Sequence, residues 1–207
     1  MSSAALINDV VEWGVAGRAL AGAPVSGDLH LVEPFEGGAL AAVIDGLGHG
    51  REAAFAARAA ATALSRRPGA LVTDLIQLCH QELRATRGVV LSLASFDAVR
   101  GVVTWAGVGD VDGVLVRASG AAKGARESIP LRGGVVGYRL PPLREAAWPV
   151  SRGDLLILAT DGVRHGFAAT VADGRPPQAI AEAIIADHGR STDDSLVLVV
   201  RYLGAAS

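Results

Sequence analysis

GALAAVIDGLGHGREAAFAARAAATALSR, residues 38–66, runs from an apolar strand through a glycine-studded turn into an alanine-rich segment. The strand half ends on a lone carboxylate, Asp45, and His49 then stands between Gly48 and Gly50. Glycine supplies positive φ at no steric cost, so a tight turn is one explanation. A site that something charged must approach closely is the other. The helical half, Arg51–Arg66, has strong helix propensity and stops at Pro68-Gly69. Working back from Asp45, residues 29–45 read as two strands around the turn Glu36-Gly37-Gly38, a hairpin signal.

Further along, a second helix is expected from Ala70 to about Thr86, with apolar positions over a wide face. From Gly88 the pattern becomes β: VVLSLASFDA, GVVTWAGVGD and DGVLVRAS, three strands with short turns that predict an antiparallel meander. In the second of these, Gly107, Gly109 and Asp110 read as a hairpin turn rather than a phosphate loop, because no helix follows. Arg132–Pro142 is a Gly- and Pro-rich loop; DLLILAT is a buried strand; Gln178–Asp187 is a helix; SLVLVVRYL is a last central strand. Helices grouped among strand-rich segments predict an α+β fold, a four-layer α-β-β-α sandwich of two antiparallel sheets flanked by helices. At 207 residues a single domain over 1–207 is expected, its core at about 13–203.

Composition excludes several function classes. Half the residues are hydrophobic, yet the longest apolar run is mostly alanine and contains Arg58, far short of the ~20 residues a bilayer requires. MSSAALINDVVEWG has no basic segment ahead of a long apolar stretch, so no secretory signal is expected. One cysteine, Cys79, cannot form an internal disulfide, which suits a reducing cytoplasm. The net charge of −2 is interspersed, and no basic cluster points to nucleic acid.

Three apolar strands begin or end on aspartate beside glycine or a second aspartate: AAVIDG at Asp45, LILATDG at Asp161, and TDDSLVLVV at Asp193-Asp194. Asp28, in VSGD, starts another strand. A carboxylate at the end of a buried strand is costly to desolvate unless it is paired or bound to metal. Few basic residues adjoin these positions in sequence, so convergence on a hard cation is attractive; Mg²⁺ and Mn²⁺ take oxygen ligands and retain waters. Asp-Gly is also an ordinary turn dipeptide, and a plain turn explains any one of these sites taken alone.

Five segments in order, GVAGRALAGAPVSGD, VIDGLGHG with its alanine-rich helix, WAGVGDVDGVLVR, LILATDGV and STDDSLVLVV, resemble the bacterial metal-dependent serine/threonine phosphatases of the protein phosphatase 2C (PPM) superfamily. The resemblance, from about Trp13 to Tyr202, is strongest to the stage II E sporulation type and the X-type feedback phosphatases of sigma-B stress signalling. It implies two Mn²⁺ or Mg²⁺ ions, with Asp45 bridging both and the Gly46 carbonyl on one. Asp161 and Asp193 would hold the second side, Asp28 an outer position, and Asp194 a less favoured one. His49 is carried over as a general acid, although relatives from eukaryotes put histidine where this chain has Leu47, and Arg18 as a phosphate partner. The substrate implied is a phosphorylated signalling protein, a stressosome scaffold or an anti-anti-sigma-type domain, with Arg132–Pro142 as a candidate docking loop. Only residues 162–192 separate Asp161 from Asp193, so the flap of larger relatives is expected to be missing or minimal. A hydrolase of small phosphate esters and a non-catalytic binding module remain alternatives.

Overall fold

The computed structural model describes residues 6–7, 10–118, 124–128, 131–171 and 174–205. Its strands are β1 (Leu6–Ile7), β2 (Val11–Arg18), β3 (Asp28–Phe35), β4 (Gly38–Gly46), β5 (Val89–Asp97), β6 (Val102–Val108), β7 (Asp112–Val116), β8 (Arg126–Glu127), β9 (Ala146–Pro149), β10 (Leu155–Ala159) and β11 (Ser195–Tyr202). The helices are α1 (Arg51–Ser65), α2 (Val72–Glu82) and α3 (Pro177–His188), with a 3-10 turn at Phe167–Thr170. One antiparallel sheet has the order β1-β2-β11-β10-β7-β8, the other β3-β4-β5-β6-β9. Among the described residues no helix is long and apolar enough to cross a membrane.

Strand alternation builds the layers. Along β4, Ala39, Ala41 and Val43 enter the core between the sheets, while Leu40, Ala42 and Ile44 face α1 and α2. Along β11, Leu196, Leu198 and Val200 enter the same inter-sheet core, while Val197 and Val199 face α3. Both strands are therefore apolar on two faces, which is why each reads as a near-continuous hydrophobic run. The result is the expected α-β-β-α sandwich. Alanines on α1 (Ala53, Ala56, Ala57, Ala60) are buried and let the helix lie close on its sheet. α2 packs against α1 and over β5 and β6, leaving Leu71 exposed at its start.

One expectation is corrected. β5, β6 and β7 do not form a meander in one sheet: β5 pairs with β6, but β7 joins the other sheet beside β10, and β6 pairs instead with β9. Trp105 meets Gly113 across the inter-sheet core. A Cβ at Gly113 would lie 2.0 Å from Trp105 Cζ2, so β7 passes over the face of β6, where an edge-to-edge partner could not sit. Ser119, the last residue expected in that strand, lies outside the described residues. Periodicity also fails to single out β2, broken by Gly14 and Gly17, and β9, a four-residue edge strand ending on Pro149.

Candidate active site

The alternation that buries β4 continues to its end. Asp45 follows Ala41 and Val43 on the inter-sheet side, and Asp28, the first residue of β3, is its direct cross-strand partner. From the opposite sheet, Asp161 follows β10 and Asp193 precedes β11. Asp45, Asp161 and Asp193 line one open cleft at the sheet ends, together with His49 on the turn after β4. Asp110, in the turn between β6 and β7, lines it too. Sequence reasoning took Asp110 for a hairpin residue only, yet it has the same signature as the others, a carboxylate after an apolar strand and beside a glycine.

The acids weaken one another's ionisation. Burial, then the charges of Asp28, Asp161, Asp110 and Asp193, pushes the Asp45 carboxyl from its ordinary 3.8 up to about 9. Burial also raises Asp28 to about 7; a Thr160 hydrogen bond pulls it down, and the charges of Asp194, Asp161 and Asp193 add to the rise. Asp161 is raised by burial and then by Asp110 and Asp193, with Arg190 and the Gly162 amide offsetting part of it. Among the described residues nothing donates a hydrogen bond to the Asp45 side chain and no cation pairs with it. Carboxylates held together with only a partial counter-charge, that of Arg190 on Asp161, are a donor set suited to a hard divalent cation. Among the described residues no group of three or more acidic, histidine or cysteine side chains is placed to hold a metal ion. An ion held here would have few protein ligands and keep several waters.

Two neighbouring residues set the geometry. The Thr160 hydroxyl donates to Asp28 Oδ2 at 2.8 Å and accepts from the Leu196 amide at 2.9 Å, tying the sheets together beside the cleft. Replacing Thr160 by valine leaves both partners unsatisfied in a buried place. It should cost about 1–3 kcal/mol in urea unfolding, and the Asp28 carboxyl, followed by carbon-13 NMR, should titrate at still higher pH. An unchanged titration would mean the hydroxyl does not govern Asp28.

Asp194, 4% exposed, has another task. Its two oxygens accept from the Leu20 and Gly27 amides, both at 2.7 Å, and so pin the segment that delivers Asp28. It does not line the cleft. Asp194→Ala should cost roughly 2–4 kcal/mol, since bonds to a charged acceptor are the stronger kind. Amide exchange at Leu20 and Gly27 should accelerate; unchanged protection there would contradict this role. Arg18 sits at the end of β2 opposite Ser195, with its guanidinium over the C-terminal end of α3: a Cβ at Gly189 would lie 2.6 Å from its Nη2. It too is outside the cleft lining.

With this geometry described, comparison with known proteins is direct. The family profile for stage II sporulation protein E (SpoIIE) matches residues 36–203. The chain belongs to the SpoIIE family of PP2C-type phosphatase domains. A solved structure described as "The bacterial stressosome: a modular system that has been adapted to control secondary messenger signaling" is 32% identical, with TM-score 0.82, over 92% of this chain and 99% of that one. RsbX in complex with magnesium has TM-score 0.85 at 19% identity, over 96% and 98% of the two chains. The SpoIIE phosphatase domain with a fragment of its regulatory domain, from Bacillus subtilis, has TM-score 0.75 at 23% identity, over 93% and 63%. The last two likenesses speak for the fold. No curated protein sequence matches the chain. The cleft acids Asp45, Asp110, Asp161 and Asp193 fall in four of the five motif segments.

Proposed function

We propose that this chain is a metal-dependent phosphatase that hydrolyses phosphoserine or phosphothreonine on a signalling partner, a stressosome scaffold or an anti-anti-sigma-type protein. The observation that supports it most is the meeting of carboxylates from both sheets in one open cleft, with no cation paired to Asp45 among the described residues. Asp45 and the Gly46 carbonyl, with Asp161 and Asp193, are the ligands proposed for two Mn²⁺ or Mg²⁺ ions; Asp28 supports them from behind. Such ions, when bound, supply acidified water and neutralise charge on the phosphoryl oxygens. His49, on the cleft wall, is the group proposed to protonate the departing alkoxide. Asp194 and Arg18, engaged elsewhere, are given no direct part. A covalent route through Cys79 is closed by its burial in α2, which pushes the thiol up to about 12.

The test is Mn²⁺-dependent release of phosphate from an aryl phosphate and from a phosphoserine protein of the anti-anti-sigma type, before and after chelation. Metal-dependent activity concentrated on the protein supports the proposal. Preference for the small ester would make the chain a small-molecule hydrolase, and inertness towards both would make it a binding module. Within the active case, Asp161→Asn should lose at least about a hundredfold in kcat, the scale of a lost charge-stabilising group, and more than His49→Ala does. The reverse order would make the histidine the principal group.

A further inference from the structure

Beside the cleft lies a groove of about 400 Å³ formed by the first turns of α1 and the segment after α2: Arg51, Glu52, Phe55, Ala85, Thr86 and Arg87. Phe55 is 60% exposed on a helix whose buried side is almost all alanine. The sheet does not require it, and its ring forms the apolar wall of the groove. The wall opposite is firmly built. Thr86 donates to the Leu83 carbonyl and accepts from the Gly88 amide, and the Gly88 carbonyl takes the amide of Leu47, a cleft residue. Arg87 spans the two regions: a Cβ on Gly48, in the cleft, would lie 2.7 Å from its Nη1, while its Nη2 pairs with Glu52 on the groove side. Groove and cleft are therefore continuous through one half-exposed guanidinium.

We infer that this groove is the subsite for the residues flanking the phosphoserine of a protein substrate, and that it selects an apolar side chain next to a carboxylate. The inference rests on the phosphatase reading above. Phe55 offers the apolar contact, and Arg51 and Arg87 offer charge to an acidic neighbour. Their positive charge also offsets the repulsion that the cleft acids exert on an acidic segment. Glu52 already occupies Arg87, so an incoming carboxylate replaces an internal partner. Glu52 thereby sets the selectivity, favouring segments whose carboxylate can displace it. An aryl phosphate has no flanking residues, so it does not sense this selection.

The experiment uses synthetic phosphoserine peptides in which a Leu-Glu pair is walked from two to six residues on either side of the phosphoserine, each with a Leu-Lys control. Turnover is measured with Mn²⁺, and binding by fluorescence anisotropy of labelled peptides. One offset should exceed its Leu-Lys control by about tenfold in kcat/KM, the size expected of one anchoring contact. Phe55→Ala should lower kcat/KM for the favoured peptide and its Leu-Lys control alike while leaving aryl phosphate hydrolysis within twofold, and Glu52→Gln should lower KM for the favoured peptide. Turnover with no preferred offset, or a Phe55→Ala variant that leaves kcat/KM of the favoured peptide unchanged, overturns the groove. Offset-dependent binding without turnover of any substrate, the aryl ester included, sinks the phosphatase reading and leaves the groove standing. Absence of both removes both.

Discussion

Asp45→Asn is expected to abolish turnover of every substrate and, in metal-free protein at pH 8, to melt above the parent. The first effect follows from the place of Asp45 at the centre of the proposed ligand set. The second follows from its ionisation. Burial and its acidic neighbours lift its carboxyl from 3.8 to about 9, so the folded chain holds a proton that the unfolded chain has released. Between those values the native state binds more protons, and stability must fall as pH rises. Metal-free parent protein should thus lose stability progressively from about pH 4 to about pH 9, most steeply between about 4 and about 7, where Asp45 and Asp28 both hold protons that the unfolded chain has released. The amide carries no charge and escapes that loss. A gain of about 1 kcal/mol would raise Tm by roughly 2–4 °C in a domain of this size. Undiminished catalysis would end the assignment of Asp45, and a lower Tm with a flat pH profile would show that its charge is compensated in the native state.

Gly46→Ala should be among the most damaging single-methyl additions in the chain. A Cβ there would lie 2.1 Å from the Ala53 carbonyl oxygen and 2.9 Å from Ala53 Cα, both of them helix backbone that cannot rotate aside. α1 must lift or the end of β4 must shift. Either movement displaces the Gly46 carbonyl and the Asp45 carboxylate next to it. A loss of at least about 3 kcal/mol is expected from urea melts, with activity falling even in the folded fraction. Gly50→Ala meets no atom within 4 Å and is strained only through its φ of 76°. It should therefore be the milder change, and comparable damage from the two would refute the steric account.

These glycines answer the question raised by the bare turn after Asp45, and only partly in the terms available from sequence. Positive φ was legible at Gly48 and Gly50, since local chemistry determines it. The demand at Gly46 was not, because it comes from a helix whose closeness depends on alanines packing in three dimensions. Asp45, Asp161 and Asp193 stood out because each abruptly interrupts an apolar run. Asp110 carried the same mark and was read as a turn, since the β7 strand that follows changes sheet, and sheet membership is not a local property. The meander failed for the same cause: short turns announce antiparallel neighbours, but Trp105 over Gly113 makes β6 and β7 neighbours across the sandwich rather than within a layer. Asp194 ranks behind Asp193 in the sequence only through the family resemblance, and its structural task is not legible there. That task is holding the pair of amides, at Leu20 and Gly27, that it gathers from more than 160 residues away.

The Thr160 to Asp28 contact joins, beside the cleft, two layers that meet largely through apolar side chains. The acids split between those layers, Asp28 and Asp45 on one and Asp161 and Asp193 on the other, so the cleft is also a seam. Loading it would rivet the seam shut, and stripping it would let like charges pry the halves apart. Chelation should accordingly register as faster breathing of the β4 and β10 ends, well before any change at the far rim of the sandwich.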